Sequence, residues 1–232
     1  MLPMQQGLLS ISARDPSQYI VQIPMTITGV EDSVNIHQAL KTIVTRYDIL
    51  RTRFLLNWSH GSINGLQVVT RDTRFPWKEV QNWEDIGATS EVDFMHQQYQ
   101  AGLDITSDSL LGFTVKQLGT RSFRLIILLH HALLDGWSGG LMLKDLKSLL
   151  SDSEIVDVNT PSGRFRDFVE RYYQKDLPTS QEFWTRYLAG VQQATHLTLP
   201  RPTQSLQHLT VHEHRTVLTS DIPQLQHVLT PV

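Results

Sequence analysis

The chain has no cysteine among its 232 residues. That excludes a disulfide scaffold, a cysteine nucleophile and a thiolate metal site, and it fits a reducing compartment. Long apolar runs are missing too. The most continuous one, Leu125 to Leu129, is far too short to span a bilayer. No basic stretch followed by an apolar core opens the sequence, so no secretory leader is expected. Positive charge is not in excess: the net charge is -3 and the pI about 6.3, which leaves no electrostatic footprint for nucleic acid. Internal repeats and low-complexity tracts are absent. The expectation is a cytoplasmic protein with no nucleic-acid partner and no membrane partner.

What is present is ordinary globular composition, 40% hydrophobic and 19% charged. The length suits one large domain or two small ones and is sufficient to bury a sizeable core. Tyr19–Ile23 and Met25–Thr28 read as strand, interrupted or edged at Pro24. Ser33 can cap a helix with apolar positions Val34, Ile36, Leu40, Ile43 and Val44. Arg51–Asn57 and Leu66–Thr70 read as strands joined by a mostly polar turn, Ser59 to Gly65. A helix is expected near Ser90–Tyr99, strands at Leu111–Leu118 and Phe123–His130, and a helix from about Gly139 to Leu150. Ser151–Gly163 reads as loop, and Phe165–Tyr173 and Ser180–Leu188 as helices. Thr198–Gln207, with two prolines, reads as a linker. Strands and helices mix throughout, which argues an α/β layered structure.

One segment concentrates the chemistry: His130-His131-Ala132-Leu133-Leu134-Asp135-Gly136-Trp137-Ser138. Two adjacent imidazoles close an apolar strand, and a carboxylate and a glycine follow the turn. Histidine has the unperturbed pKa nearest neutral pH, so a rigidly held imidazole suits proton transfer. Taken alone, the position of His131 equally suits a core histidine bonded to a backbone carbonyl. Strand alternation sends His130 to the opposite face, in a structural role.

The segment matches the pattern HHxxxDG, and here the chain resembles the condensation domains of nonribosomal peptide synthetases. Four further segments agree in order. Pro3-Met4-Gln5-Gln6-Gly7-Leu8-Leu9 resembles the family's first signature. Arg46-Tyr47-Asp48-Ile49-Leu50-Arg51-Thr52-Arg53-Phe54 resembles its second, with Tyr47 and Asp48 where His and Glu are usual. Phe165-Arg166-Asp167-Phe168-Val169 is a diverged fourth. Gln181-Glu182-Phe183-Trp184 with Tyr187-Leu188-Ala189-Gly190 is similar to the EFW...YLAG segment that follows.

The resemblance implies a chloramphenicol-acetyltransferase-like fold, a mixed sheet flanked by helices, of which this chain supplies the first of two lobes. Residues 1–200 would form that lobe; residues 201–232 would be the linker and the opening of the second, with Val211–Leu218 as its first strand. The GxFVNT-like segment of the later half is absent, so no activity is expected of this fragment alone. The implied reaction is amide formation. An acceptor amine attacks a donor thioester, both carried on phosphopantetheine arms of partner carrier domains, with an adenylation domain in the parent synthetase. No cofactor is expected to bind directly, and no metal.

By the motif match, His131 is the residue that would take the amine's proton or orient the amine. His130, Asp135 and Gly136 complete the expected site. Asp135 is expected to form a buried ion pair that shapes the loop, with Arg51 or an arginine of the missing lobe as partner. Gly136 would serve backbone geometry or close approach of the thioester. Trp137 is expected in core packing and Arg46 in a surface or structural role.

Other classes remain open at this stage. An epimerisation-type or carrier-docking domain would share the fold, although Trp137-Ser138 after Asp135-Gly136 fits domains joining L-configured partners better. Gly136-Trp137-Ser138-Gly139-Gly140 satisfies the GxSxG elbow of serine hydrolases, with Asp157 and His196 as triad partners. However, His130 to Asp135 intervene between strand and serine, and Ser138 reads better as a helix cap. A metal site from His130, His131 and Asp135, or from His212 and His214, would need a third ligand that no spacing supplies.

Overall fold

The computed structural model describes residues 1–60, 63–106, 109–151, 163–174 and 177–191. They fall into two compact units, Met1–Asp176 and Leu177–Val232. The expected boundary at 200–201, the linker and the Val211–Leu218 strand lie outside the described residues, as does most of the Ser151–Gly163 loop.

The first unit is built on a four-stranded mixed sheet. Its outer strand β1 (Ile20–Thr28) pairs antiparallel with β6 (Ser122–His130), from Ile20 opposite His130 to Thr28 opposite Ser122. β6 pairs antiparallel with β5 (Leu111–Gly119), and β5 pairs in parallel with β4 (Trp77–Val80). The order is β1-β6-β5-β4. Pro24 does not interrupt β1 but sits within it, opposite Ile126. Among the described residues its strand has one neighbour only, and on such an edge a missing N–H is tolerated. The short β4, with Lys78 and Glu79 between its two apolar ends, carries no sequence signal strong enough to announce it.

β6 reads as a continuous apolar run because both of its faces are covered. Phe123, Leu125, Ile127 and Leu129 enter the main core, together with Ile36, Leu40 and Ile43 of α2 (Ser33–Arg46) and Met142 and Leu146 of α4 (Gly136–Leu150). Ile126 packs on the opposite side against Trp83, Ala88 and Phe94, the last from α3 (Glu91–Ala101). Asp32, not Ser33, caps α2: its carboxylate accepts the Asn35 N–H at 2.9 Å. Val34 is therefore turned to solvent. Ser90 caps α3.

A separate antiparallel pair, β2 (Thr52–His60) and β3 (Ile63–Val69), is longer than the sequence suggests, and the expected seven-residue turn shrinks accordingly. The first signature segment forms a helix, α1 (Pro3–Ser12), with proline at its start, where its missing N–H costs nothing. α1 buries Gln5, Leu9 and Ser12, one stripe at helical spacing. α5 (Phe165–Gln174) closes the first unit; α6 (Leu177–Tyr187) belongs to the second.

Candidate active site

β6 delivers the two histidines to its C-terminal end, and they separate there as strand alternation requires. His130 is fully buried. Its Nδ1 accepts the Ala132 N–H at 3.0 Å. The ring proton therefore resides on Nε2, which donates to Ser12 Oγ at 2.8 Å. Burial, reinforced by the neighbouring His131, depresses the His130 pKa to about 4. His130 is a neutral internal strut at neutral pH.

His131 follows the last residue of the strand and is exposed. Its backbone N–H donates to the Tyr19 carbonyl at 2.7 Å. Tyr19 holds φ at 56°, in the left-handed region that non-glycine residues seldom occupy. Such a conformation persists only where its surroundings impose it, and here it aims a carbonyl at the candidate catalytic residue. The ring Nδ1 of His131 lies 2.7 Å from the Leu134 carbonyl oxygen. A carbonyl can only accept, so Nδ1 carries a proton, and in the neutral ring Nε2 keeps its lone pair. A backbone-bonded Nδ1–H that leaves Nε2 basic is the arrangement a proton acceptor needs. The backbone carbonyl bond expected of a core histidine is real, but the residue making it is not buried in the core.

The intervening turn is rigid for identifiable reasons. Ala132, Leu133 and Leu134 are all buried, and the Leu133 N–H returns to the His130 carbonyl at 3.0 Å. The Ala132 carbonyl accepts from Gln5 Nε2 at 2.9 Å. The side chains of Gln5 and Ser12, both from α1, were not among the site residues that sequence reasoning selected. Gln5 lies within the first signature segment, and the further sequence signal of the pair is the polar–apolar–polar stripe Gln5, Leu9, Ser12.

Asp135 departs from expectation. It is exposed and pairs with no arginine among the described residues; it is the N-cap of α4. Its Oδ1 accepts the Ser138 N–H at 2.8 Å and the Ser138 hydroxyl at 2.6 Å, while its own N–H donates to Ser138 Oγ at 2.9 Å. The reciprocal pattern is a capping box. The hydroxyl bond, then the backbone bonds, hold its carboxyl below the usual range. The physical reason for the difference is that α4 starts at Gly136, three residues before the expected Gly139, so its orphan N–H groups need a carboxylate at position 135. Arg51 is engaged elsewhere, with the Asp48 carboxylate and the Thr70 carbonyl, where it ties a 3-10 turn (Asp48–Arg51) to the end of β3.

Gly136 is the first helical residue, has no left-handed φ, and would accept a β-carbon in open space. The backbone does not demand glycine there; an open surface is what its absence of side chain leaves. Trp137 is 81% exposed rather than in the core, because α4 turns Met142 and Leu146 inward and its second residue outward. Arg46, the last residue of α2, lies beside α4. Its Nε lies 3.6 Å from Asp145 of α4, and the neighbouring Tyr47 donates its hydroxyl to the same carboxylate at 2.6 Å. Desolvation, then the Asp145 bond and charge, push the Tyr47 phenol up to about 12. Tyr47, which stands where the family usually has histidine, thus pins α2 to α4.

Ser138 is the third residue of α4, not its cap and not at an elbow, and its hydroxyl is committed to Asp135. No histidine hydrogen-bonds it among the described residues; Asp157 and His196 lie outside them. Among the described residues no group of three or more His, Asp or Glu could hold a metal, and His212 and His214 lie outside.

Comparison with known proteins bears on the family and the fold. A family model described as Condensation domain matches residues 1–229. Gramicidin S synthase 2 of Brevibacillus brevis is 25% identical over 216 residues, covering 90% of this chain and 5% of that protein. The nonribosomal peptide synthetase anaPS of Neosartorya fischeri is 30% identical over 199 residues, covering 86% of this chain and 8% of that protein. The chain thus spans a small part of the curated relatives it matches. The crystal structure of the starter condensation domain of rhizomide synthetase superposes with a TM-score of 0.61 at 18% identity, covering 82% of this chain and 48% of that one. A four-domain nonribosomal peptide synthetase bound to AMP and glycine gives a TM-score of 0.60 at 20% identity, covering 79% of this chain and 14% of that one.

Proposed function

The chain belongs to the condensation-domain family, whose members are acyltransferase-type enzymes, and from that premise we propose that it serves amide formation in nonribosomal peptide synthesis, with His131 as its catalytic residue. Residues 1–200 are read as the first lobe and residues 201–232 as the linker and opening of the second.

In the proposed step, the neutral amine of an acceptor aminoacyl thioester attacks the carbonyl carbon of a donor thioester. A C–N bond forms and the C–S bond breaks. The amine gives up one proton and the departing sulfur gains one as a thiol. Nε2 of His131 is the lone pair available to receive the amine proton, or to hold the amine in line while it attacks. The observation that carries this reading is the Nδ1–H bond to the Leu134 carbonyl, which fixes the tautomer with Nε2 bare on an exposed ring.

His130 supports the turn, and Asp135 and Gly136 set the start of α4. The open surface at Gly136 is where a thioester can come close. The partners in this reading are an upstream donor and a downstream acceptor carrier domain, each bearing a phosphopantetheine arm, and an adenylation domain that loads one of them. The arms arrive with the substrates, so no cofactor is resident. The expected setting is cytoplasmic, and no described helix is long and apolar enough to cross a membrane.

His131→Ala in the protein at its natural full length is the test. General acid–base catalysis contributes about 100- to 10,000-fold, so condensation between two loaded carriers should fall by that order. Intact-protein mass spectrometry of the acceptor carrier reads the product, and circular dichroism checks the fold. Product yield equal to the unsubstituted protein would remove His131 from the mechanism.

A further inference from the structure

The imidazole of His131 is only as well placed as the carbonyl that orients it. That carbonyl belongs to Leu134, within a turn that no sheet or helix ladder holds. The fastening comes instead from a distant side chain. Gln5, 6% exposed, donates Nε2–H to the Ala132 carbonyl at 2.9 Å, across 127 residues of sequence. Its other end is equally engaged: Oε1 accepts the Leu2 N–H at 3.3 Å and an N–H of the Gln67 side chain. Both lone pairs of the amide oxygen are in use, so the group cannot flip without losing every partner. Ala132 is buried, so its carbonyl depends on a protein donor, and Gln5 supplies it. Seven residues along the same helix, Ser12 meets His130 Nε2, so α1 grips the segment on both sides of His131.

We propose that Gln5 is a positioning residue for the reaction, acting through the Ala132 carbonyl to hold the turn in which Leu134 fixes the His131 tautomer. The proposal rests on the reading of His131 as the proton acceptor. Without the Gln5 bond, the buried Ala132 carbonyl loses its donor, and the Ala132–Leu133 peptide keeps only the Leu133 N–H bond to the His130 carbonyl, so it tilts to find another partner. The Leu134 carbonyl then moves off Nδ1, and the imidazole populates both tautomers.

The test uses Gln5→Met, which keeps volume and removes both donor and acceptor, with two readouts. Nitrogen-15 spectra of the imidazole rings report which nitrogen of His131 is protonated, independently of any turnover. Steady-state condensation at natural full length separates kcat from KM. Nδ1 protonation should dominate in the parent and give way to a mixture in Gln5→Met. Misplacement on the ångström scale costs up to about 100-fold, and the loss should fall on kcat with KM unchanged, because the substrate-binding contacts are untouched. A folded Gln5→Met with a parental tautomer overturns the proposal, whether or not turnover falls. A mixed tautomer with parental kcat overturns the reading of His131 instead, and the proposal with it. If Gln5→Met does not fold, Gln67→Met decides: it loosens only the acceptor side of the amide, and should move tautomer and kcat in the same direction by less. A parental tautomer and kcat there overturn the proposal.

Discussion

The fully buried, neutral His130 makes a quantitative prediction about acid sensitivity. In the unfolded chain the ring takes up a proton near its ordinary pKa, about 6.5, whereas in the folded protein it does so only near 4. Between those values the unfolded state binds more protons, so stability rises with pH and is lost as pH falls from about 6.5 toward 4. Two such pKa values predict a loss of about 2 kcal/mol between pH 8 and pH 5, growing to roughly 3 kcal/mol at pH 4. For a chain of this size, 2 kcal/mol corresponds to a fall of about 4–8 °C in Tm. The carboxylates of Asp15, Asp93 and Asp135, held low by hydrogen bonds, lose their contribution only around and below their ordinary values. A comparison that stops at pH 5 therefore leaves the carboxylates out, and the Met1 amino group, lowered from its ordinary value by burial, is the same in the parent and the variant.

Replacing His130 by Gln removes the titrating group, so the readout is a double difference. Urea unfolding at pH 8 and pH 5, followed by tryptophan fluorescence, should show the parent losing about 2 kcal/mol more than His130→Gln over that interval. Other histidines titrate in both proteins and cancel. An equal pH dependence in the two proteins would show that His130 is not held neutral by burial, and the strut described above would be wrong.

Other outcomes follow from the same geometry. Asp135→Ala should cost about 1 kcal/mol through loss of the α4 cap, whereas Asp135→Asn, an equally good cap, should unfold at nearly the parental urea midpoint. A large loss of stability in Asp135→Asn would restore the ion-pair reading. Ser138 should not react with a fluorophosphonate probe, because its hydroxyl is spent on Asp135; stoichiometric labelling detected by mass spectrometry would revive the hydrolase reading. Tyr47→Phe should cost about 0.5–1.5 kcal/mol in chemical denaturation by removing the hydroxyl that ties α2 to Asp145; an unchanged midpoint would show that this bond does not hold the two helices together.

The parts of the fold legible in sequence are those governed by period. β5, β6, α2 and α3 announce themselves through apolar spacing, and the structure places them within a few residues of expectation. β4 is too short and too polar to produce a pattern. The first turn of α4 is hidden because Gly136, Gly139 and Gly140 have low helix propensity, which argues for loop. That one boundary changes the meaning of three residues: Asp135 becomes a cap, Ser138 the third residue of a helix, and Trp137 an exposed ring. The place of His131 at the strand end is readable, since it depends on local order alone. Its tautomer is not, because a turn carbonyl sets it. The hydrogen bonds of Gln5 and Ser12 are not legible because their partners lie 127 and 118 residues away, and no local pattern encodes so distant a bond, although Gln5 itself stands in the first signature segment.

Those separations have a consequence for how the protein comes to exist. β1 finds its partner only when β6 has been made, and α1 meets the turn beyond it later still. Closing such a span costs entropy before any contact rewards it, although each doubling of length adds only about 0.6 kcal/mol. Domains rich in such distant pairings fold slowly. On a ribosome, α1 and β1 emerge before β6 and must wait for it, with β1 an unpaired strand whose Val21, Ile23, Met25 and Ile27 have no core to enter. During that wait Pro24 has a second use. A strand carrying a proline at its centre is a poor template for joining a neighbouring nascent chain, so the residue that β1 tolerates in the finished sheet guards it while the rest is still being synthesised.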